Sequence, residues 1–234
     1  MSITFINPAE AIQGHGLKML VYGGAGTGKT VLCATANEPT LIISAEAGLL
    51  SIRNAPKNVT IVEVNDRQET EDVLRYLQTE STPAWVCIDS ITEIADRVLD
   101  VEKQRHKNSW QSYGETKDIM SAMIRGFLDL PETNVLMTGT VKKEKDDADG
   151  KFHYECMMPG GSLRAAMPHF FDLVGAMRVF KDKDTGAVDH YIQTHRDDQW
   201  DAKDRSGLLD NYEAPSLASL KEKIRQPSSH KEAA

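Results

Sequence analysis

Cysteine is scarce in this chain. Cys33, Cys87 and Cys156 are widely spaced and odd in number, which excludes a disulfide framework, and no paired zinc-ligand spacing is visible. Long apolar runs are missing as well. Stretches such as Leu41 to Ile43 fall far short of the roughly 20 residues that cross a bilayer, so no membrane partner is expected. The opening residues, MSITFINPAE, carry no basic segment followed by an apolar one, and a cytoplasmic protein is the expectation. Positive charge is also short: 27 Lys and Arg stand against 35 Asp and Glu, a formal net charge of −8. Any polyanion must therefore be met by a local patch and not by the whole surface. What is present, 40% hydrophobic and 26% charged residues in 234, excludes a disordered, collagenous or fibrous chain and suffices for one substantial core.

Apolar, β-branched runs alternate with helical patterns, the arrangement of an α/β protein with a mainly parallel sheet flanked by helices. Strands are expected at 17–22, 40–44, 59–64, 84–89 and 133–139, and helices at 29–36, 67–79, 91–105 and 115–129. Beyond these, 151–157, 171–181 and 188–195 read as strands, with Asp184, Thr185 and Gly186 marking a hairpin turn, so an antiparallel extension closes the same domain. Residues 142–151, KKEKDDADGK, mix both charges without an apolar anchor and are expected to form a mobile loop, and the tail from Gln226 a disordered one. The organisation expected is an extension over 1–16, a core over 17–225 and a tail over 226–234.

The most specific signal is GGAGTGKT, comprising Gly23, Gly24, Ala25, Gly26, Thr27, Gly28, Lys29 and Thr30, which satisfies G-x-x-x-x-G-K-[ST] between a strand and a helical run that opens with Val31. Glycines let backbone N–H groups wrap phosphates, and Lys29 can span the β- and γ-phosphates while Thr30 offers its hydroxyl to Mg²⁺. ATP and Mg²⁺ are the expected cofactors. The apolar run Trp85 to Ile88 ends in Asp89, placed to hold Mg²⁺ from a strand neighbouring the loop; it would equally serve as an N-cap for the helix from Ile91. Glu46 follows the strand TLIIS, where a carboxylate can orient or deprotonate an attacking water, the bland alternative being a surface Glu.

With these residues in order, LIISAEAGL resembles the strand and catalytic glutamate of RecA-type ATPases, and WVCIDSIT resembles their second Asp-bearing strand. AKDRSG, with Lys203 and Arg205, is similar to the Lys-x-Arg-x-Gly motif of hexameric DnaB-type helicases and RadA-type recombinases. The resemblance covers roughly residues 17 to 210 and is nearest to short phage-encoded RecA-like ATPases assigned to single-strand annealing and recombination. It implies a RecA-like P-loop fold, self-assembly as a ring or filament, and Lys203 and Arg205 reaching a neighbour's γ-phosphate as an arginine finger. Solvated charges in an Asp-rich loop are the alternative for that pair.

The same resemblance implies two DNA-binding segments, at 103–114 and 141–161. The first joins Lys103, Arg105 and Lys107 to Trp110 and Tyr113, the cations and stacking surfaces that a single strand needs. The second carries Lys142 and Lys143, followed by Arg164, which would contact DNA or cap a helix end. Packing under the loop is the alternative for the aromatics, and a solvated face for the lysines. Where recombinases place an amide side chain sensing γ-phosphate, this chain has Thr138, Gly139 and Thr140, with Thr140 the substitute to consider. In the amino-terminal extension, Ile3, Phe5 and Ile6 would add a strand to a neighbour.

The function expected is a Mg²⁺-dependent, DNA-stimulated ATPase that oligomerises and binds single-stranded DNA for annealing or recombination. In that setting a single-strand-binding protein is a further partner, and a phage-encoded chain would work in the host cytoplasm. The alternatives are a helicase-like DNA motor and a P-loop phosphotransferase or regulatory NTPase acting without DNA. No guanine-reading N-K-x-D is present.

Overall fold

The run KMLVYG is buried at all its positions, as a strand covered by helices on both faces must be. It forms β1 (Lys18–Gly23) in a computed structural model that describes residues 7, 14–46, 48–80, 82–146 and 150–225. The other strands are β2 (Thr40–Ser44), β3 (Val59–Glu63), β4 (Trp85–Asp89), β5 (Asn134–Lys145), β6 (Phe152–Cys156), β7 (Leu173–Lys181), β8 (Val188–Gln193), β9 (Lys203–Asp204) and β10 (Tyr212–Glu213). The helices are α1 (Lys29–Cys33), α2 (Arg67–Thr79), α3 (Ile91–Arg105), α4 (Ser109–Leu128), α5 (Gly161–Phe170) and α6 (Leu217–Arg225). Among the described residues no helix is long and apolar enough to cross a membrane.

The strands join one sheet in the order β10-β8-β7-β1-β5-β4-β2-β3, with β6 on β5 and β9 on β7. The block β7-β1-β5-β4-β2-β3 is parallel, and β6, β8, β9 and β10 are antiparallel. This is the expected α/β architecture with its antiparallel extension. Strand alternation sends Leu20, Tyr22, Val86 and Ile88 to one face, with Phe127 and Met120, and Met19, Val21, Trp85 and Cys87 to the other, with Leu32 and Leu217. Cys33 and Cys87 are core residues, as expected, and Cys156 joins them.

Helices α2 and α3 match their expected bounds: the Asp66 carboxylate caps α2, accepting from the Glu69 amide at 2.9 Å, and α3 is capped by Ser90 and not by Asp89, the Ser90 hydroxyl accepting from the Glu93 amide at 3.4 Å. Elsewhere the structure corrects the sequence. The first helix ends at Cys33, not 36, because the Thr35 hydroxyl donates to the Leu32 carbonyl and accepts the Leu217 amide at 2.9 Å, which docks α6. Helix α4 starts at Ser109 and not 115, capped by the Asn108 side chain, which accepts from the Trp110 amide at 3.0 Å. Helices α5 and α6 were unforeseen.

The expected loop at 142–151 is in part strand. Lys142 to Lys145 pair with Phe152 to Glu155, and the Lys143 ammonium sits 3.9 Å above the Phe152 ring. Residues 147–149 of that loop, most of the extension over 1–16, including Ile3, Phe5 and Ile6, and the tail over 226–234 lie outside the described residues. Finally, β4 does not neighbour the loop-bearing β1: β5 lies between them.

At the base of β1, Lys18 is buried, its ammonium donating to the carbonyls of Leu130 (3.2 Å) and Thr133 (2.7 Å). Burial lowers its pKa from 10.5 to about 8, against the opposing pull of Asp172 and Asp129. The folded value is below the unfolded one, so the cost of burying this charge is full below pH 8 and fades as pH rises toward 10.5. In denaturant titrations, the stability of the wild type relative to Lys18→Met should therefore improve between pH 7 and pH 10. Parallel pH profiles for the two proteins would show that Lys18 does not titrate in this range.

Candidate nucleotide site

The loop after β1 turns through two left-handed glycines, Gly26 (φ 75°) and Gly28 (φ 100°), conformations that a side chain would strain. The turn brings Lys29 back over its own loop, where its ammonium donates to the carbonyls of Gly23 and Gly24, both at 2.9 Å. Thr27 closes the same turn by donating to the Gly24 carbonyl at 2.9 Å. Burial depresses the Lys29 pKa, and the negative charges of Glu46 and Asp89 work against that depression. The expected phosphate cradle, Gly23 to Thr30 with Ala25 at its exposed crest and Val31 exposed beyond it, is thus one compact turn at the carboxyl end of β1.

Register puts the other acids at this same edge. Gly23 is level with Thr140 on β5, and Ser44 on β2 is level with Asp89 on β4. The Thr30 hydroxyl donates to Asp89 Oδ2 at 2.6 Å, and the Thr138 hydroxyl, from the intervening β5, donates to Oδ1 of the same carboxylate. Asp89 is buried, so these hydroxyls replace the water that its charge has lost. A hydroxyl and a carboxylate oxygen within 2.6 Å are hard donors that fit Mg²⁺, which takes few protein ligands and keeps several waters. Among the described residues no group of three or more His, Cys, Asp or Glu forms a metal cage.

Glu46 is exposed at the end of β2, and the Ser90 hydroxyl donates to its Oε1. Behind it, the Arg97 guanidinium donates to the carbonyls of Ala45 (2.6 Å) and Val64 (3.0 Å), and to the Glu93 carboxylate at 3.0 Å. One cation thereby staples the ends of β2 and β3 to α3 and fixes the backbone from which Glu46 projects. Gly48 lies close to the Thr30 hydroxyl, since a Cβ there would meet Thr30 Oγ1 at 3.6 Å.

The remaining candidates fall elsewhere. Lys203 and Arg205 lie at the opposite end of the sheet. Lys203 pairs with Val174, while Gly23 is level with Met177, a difference of about 10 Å along β7. There Lys203 donates to the Pro168 carbonyl, and Arg205 to Asp172 (3.3 Å) and to the His169 carbonyl (3.2 Å). Within one protomer this pair does not reach its own phosphate loop.

In the first basic segment, Lys103 faces Asp100 at 3.6 Å and Arg105 faces Glu102 at 2.9 Å, both in the last turn of α3, and Lys107 is exposed in the connection. Trp110 is 85% exposed on the first turn of α4, which overturns packing beneath a loop as its role. Tyr113 is 39% exposed and lies against Gly160, where a Cβ would come within 3.2 Å of its ring, so the two segments meet at this contact. In the second segment, Arg164 and Lys142 converge on Glu155, at 2.9 and 3.8 Å. Arg164 sits in the first turn of α5, so it does not cap the end of a helix. Thr140 engages through its main chain, its amide donating to Thr92 Oγ1 at 3.0 Å.

Sequence reading named Thr138 but gave the role to Thr140, and missed Arg97, Gly48 and His190, whose Nδ1 lies 2.8 Å from the Thr27 carbonyl. Thr138 had a usable signal, a hydroxyl at the end of an apolar strand. Arg97 and His190 had none, because the carbonyls they reach are remote in sequence.

A family model described as an AAA domain matches residues 15–206. Among curated proteins no match was found. A solved structure of a KaiC-like protein from the hyperthermophilic archaeon Pyrococcus horikoshii is similar at 16% identity and a TM-score of 0.47, over 76% of this chain and 77% of that one.

Loss of the hydroxyl that holds Glu46 should be felt in turnover and not in binding. Ser90→Ala is expected to slow nucleotide hydrolysis about tenfold with the nucleotide Kd unchanged. A matching loss of affinity, measured by equilibrium titration, would instead mark Ser90 as a support of the whole site.

Proposed function

The chain belongs to the AAA domain family, and from that premise we propose that it is a Mg²⁺-dependent ATPase that assembles as a ring or filament and binds single-stranded DNA for annealing or recombination. The observation that carries the nucleotide half of this reading is the meeting of Lys29, Thr30, Asp89 and Glu46 at one sheet edge, with Thr30 and Asp89 2.6 Å apart. Lys29 binds the β- and γ-phosphates, Thr30 and Asp89 hold Mg²⁺, and Glu46, oriented by Ser90, takes the proton of the attacking water. The oxygen of that water bonds to the γ-phosphorus as the bond to the β–γ bridging oxygen breaks, releasing ADP and phosphate. When bound, Mg²⁺ neutralises charge on the phosphate oxygens. Lys203 and Arg205 act on a neighbour's γ-phosphate, in keeping with their distance from their own loop.

Support for the DNA half comes from Trp110, a largely exposed ring three residues after Lys107, and from Tyr113 at the junction of both basic segments. A second reading, a regulatory NTPase or phosphotransferase without DNA, is favoured by the acidic partners of Lys103, Arg105, Lys142 and Arg164. Such pairs leave little free positive charge for a phosphate backbone.

Nucleotide binding should vanish in Lys29→Ala. Glu46→Gln should keep binding and lose hydrolysis by about 10² or more, measured as phosphate release. Hydrolysis by wild type should rise with long single-stranded DNA at low salt, less so in Trp110→Ala, and the stimulation should disappear in Arg205→Ala. Hydrolysis indifferent to DNA, without binding even at low salt, would favour the second reading.

A further inference from the structure

The reading above seats the phosphates and leaves the nucleoside unassigned, and the surroundings of the loop supply a direction for it. Asp89 and Glu46 stand on the flank of β1 that holds β5, β4 and β2. On the proposed function, on which this inference rests, the terminal phosphate points to that flank. The nucleoside end of an extended triphosphate must then leave the loop on the other flank, over β7 and β8.

That flank is built as an overhang. β7 is level with Gly23 at Met177 and continues to Lys181 before β8 returns from Val188, so the hairpin projects about 13 Å past the level of the loop. Met177 and Ile192 are paired across it and buried on the α1 side of the sheet. By strand alternation, the pairs Val179 with His190 and Lys181 with Val188 face that same side, the side of the loop and α1. Val179 and Val188 are 43% and 51% exposed there.

His190 fastens this surface to the phosphate site. Its Nδ1 is 2.8 Å from the Thr27 carbonyl. A carbonyl only accepts, so the ring carries a proton on Nδ1 and donates it. Gly28 lies next to the imidazole, a Cβ there falling 3.8 Å from Nδ1, an ordinary contact distance. An apolar surface of two β-branched side chains is thus held at a fixed offset from the phosphate-binding turn.

We propose that Val179, Val188 and His190 form the seat of the nucleotide's base. The two valines take one face of the planar ring, and His190 positions the hairpin against the loop. Ordinary base sites work this way: apolar surface supplies the contact area and a few placed polar groups fix the orientation.

The test separates base from phosphates by using Mg·ATP and Mg·tripolyphosphate as paired probes in calorimetric titrations of the full chain. Both valines are exposed, so the double variant Val179→Ser/Val188→Ser should keep its fold, checked by its melting curve. The wild type should bind ATP more tightly than tripolyphosphate. The double variant should lose about tenfold in ATP affinity and bind tripolyphosphate as before. His190→Ala should also weaken ATP binding, and His190→Gln, which can still donate to the Thr27 carbonyl, should restore part of it. Unchanged ATP affinity in the double variant overturns the seat and leaves the phosphate site standing. Equal losses for both probes overturn it too, because the hairpin would then only brace the loop. A wild type that binds neither probe overturns the nucleotide reading together with this one.

Discussion

One buried carboxylate organises the upper edge of this sheet. Asp89 has almost no access to solvent, and its two oxygens are met by hydroxyls from two other parts of the chain, Thr30 after the phosphate loop and Thr138 on β5. A charge in that position is tolerable only if each oxygen keeps a partner, so β4, β5 and the loop-bearing β1 must end in register. Once they do, the loop after β1, the Thr30 and Asp89 oxygens and Glu46 are brought to a single edge. The interleaving of β5 between β1 and β4 is therefore part of the chemistry, because it is the strand that carries Thr138.

The parts of this site that could be read in the sequence are those encoded by neighbours in the chain. Gly23 to Thr30 is one continuous turn, and Asp89 and Glu46 each end an apolar strand, so their positions follow from strand chemistry alone. Helices α2 and α3 fall on their expected bounds, although the cap of α3 is Ser90 and not the Asp89 that the sequence suggests. The parts that could not be read depend on contacts across the fold. Arg97 reaches the carbonyls of Ala45 and Val64, and His190 reaches Thr27 over 163 residues of separation. Backbone carbonyls carry no residue signature, so a side chain whose partner is one leaves no trace in a motif. The early start of α4 is hidden for a simpler reason: its cap, Asn108, lies inside the cation-rich segment 103–114, where no apolar run marks a helix start.

Counting cations in a sequence also overstates what a ligand can use. Four of the candidate DNA contacts, Lys103, Arg105, Lys142 and Arg164, each have a carboxylate within 4 Å. Three of those acids, Asp100, Glu102 and Glu144, lie only two or three residues away, and could have been noticed as partners. Only the Lys103–Asp100 pair is exposed on both sides and therefore weak; Glu102 is buried, and Lys142, Arg164 and Glu155 are half-buried, so those acids hold their cations more firmly. What the same stretch offers without competition is the indole of Trp110.

The placement of Lys203 and Arg205 at the foot of β7 has a consequence for symmetry. A protomer that lends these side chains to the phosphate loop of another must present the bottom of its own sheet to the top of the next. Such a contact joins two different surfaces, so it cannot lie on a two-fold axis, and repeating it gives a closed cycle or an open helix with a direction. In an open helix the terminal subunits are unequal: one displays a phosphate loop with no neighbour's cations, and the other displays cations with no loop to serve. The chain would then grow as a polar polymer whose two ends are chemically distinct.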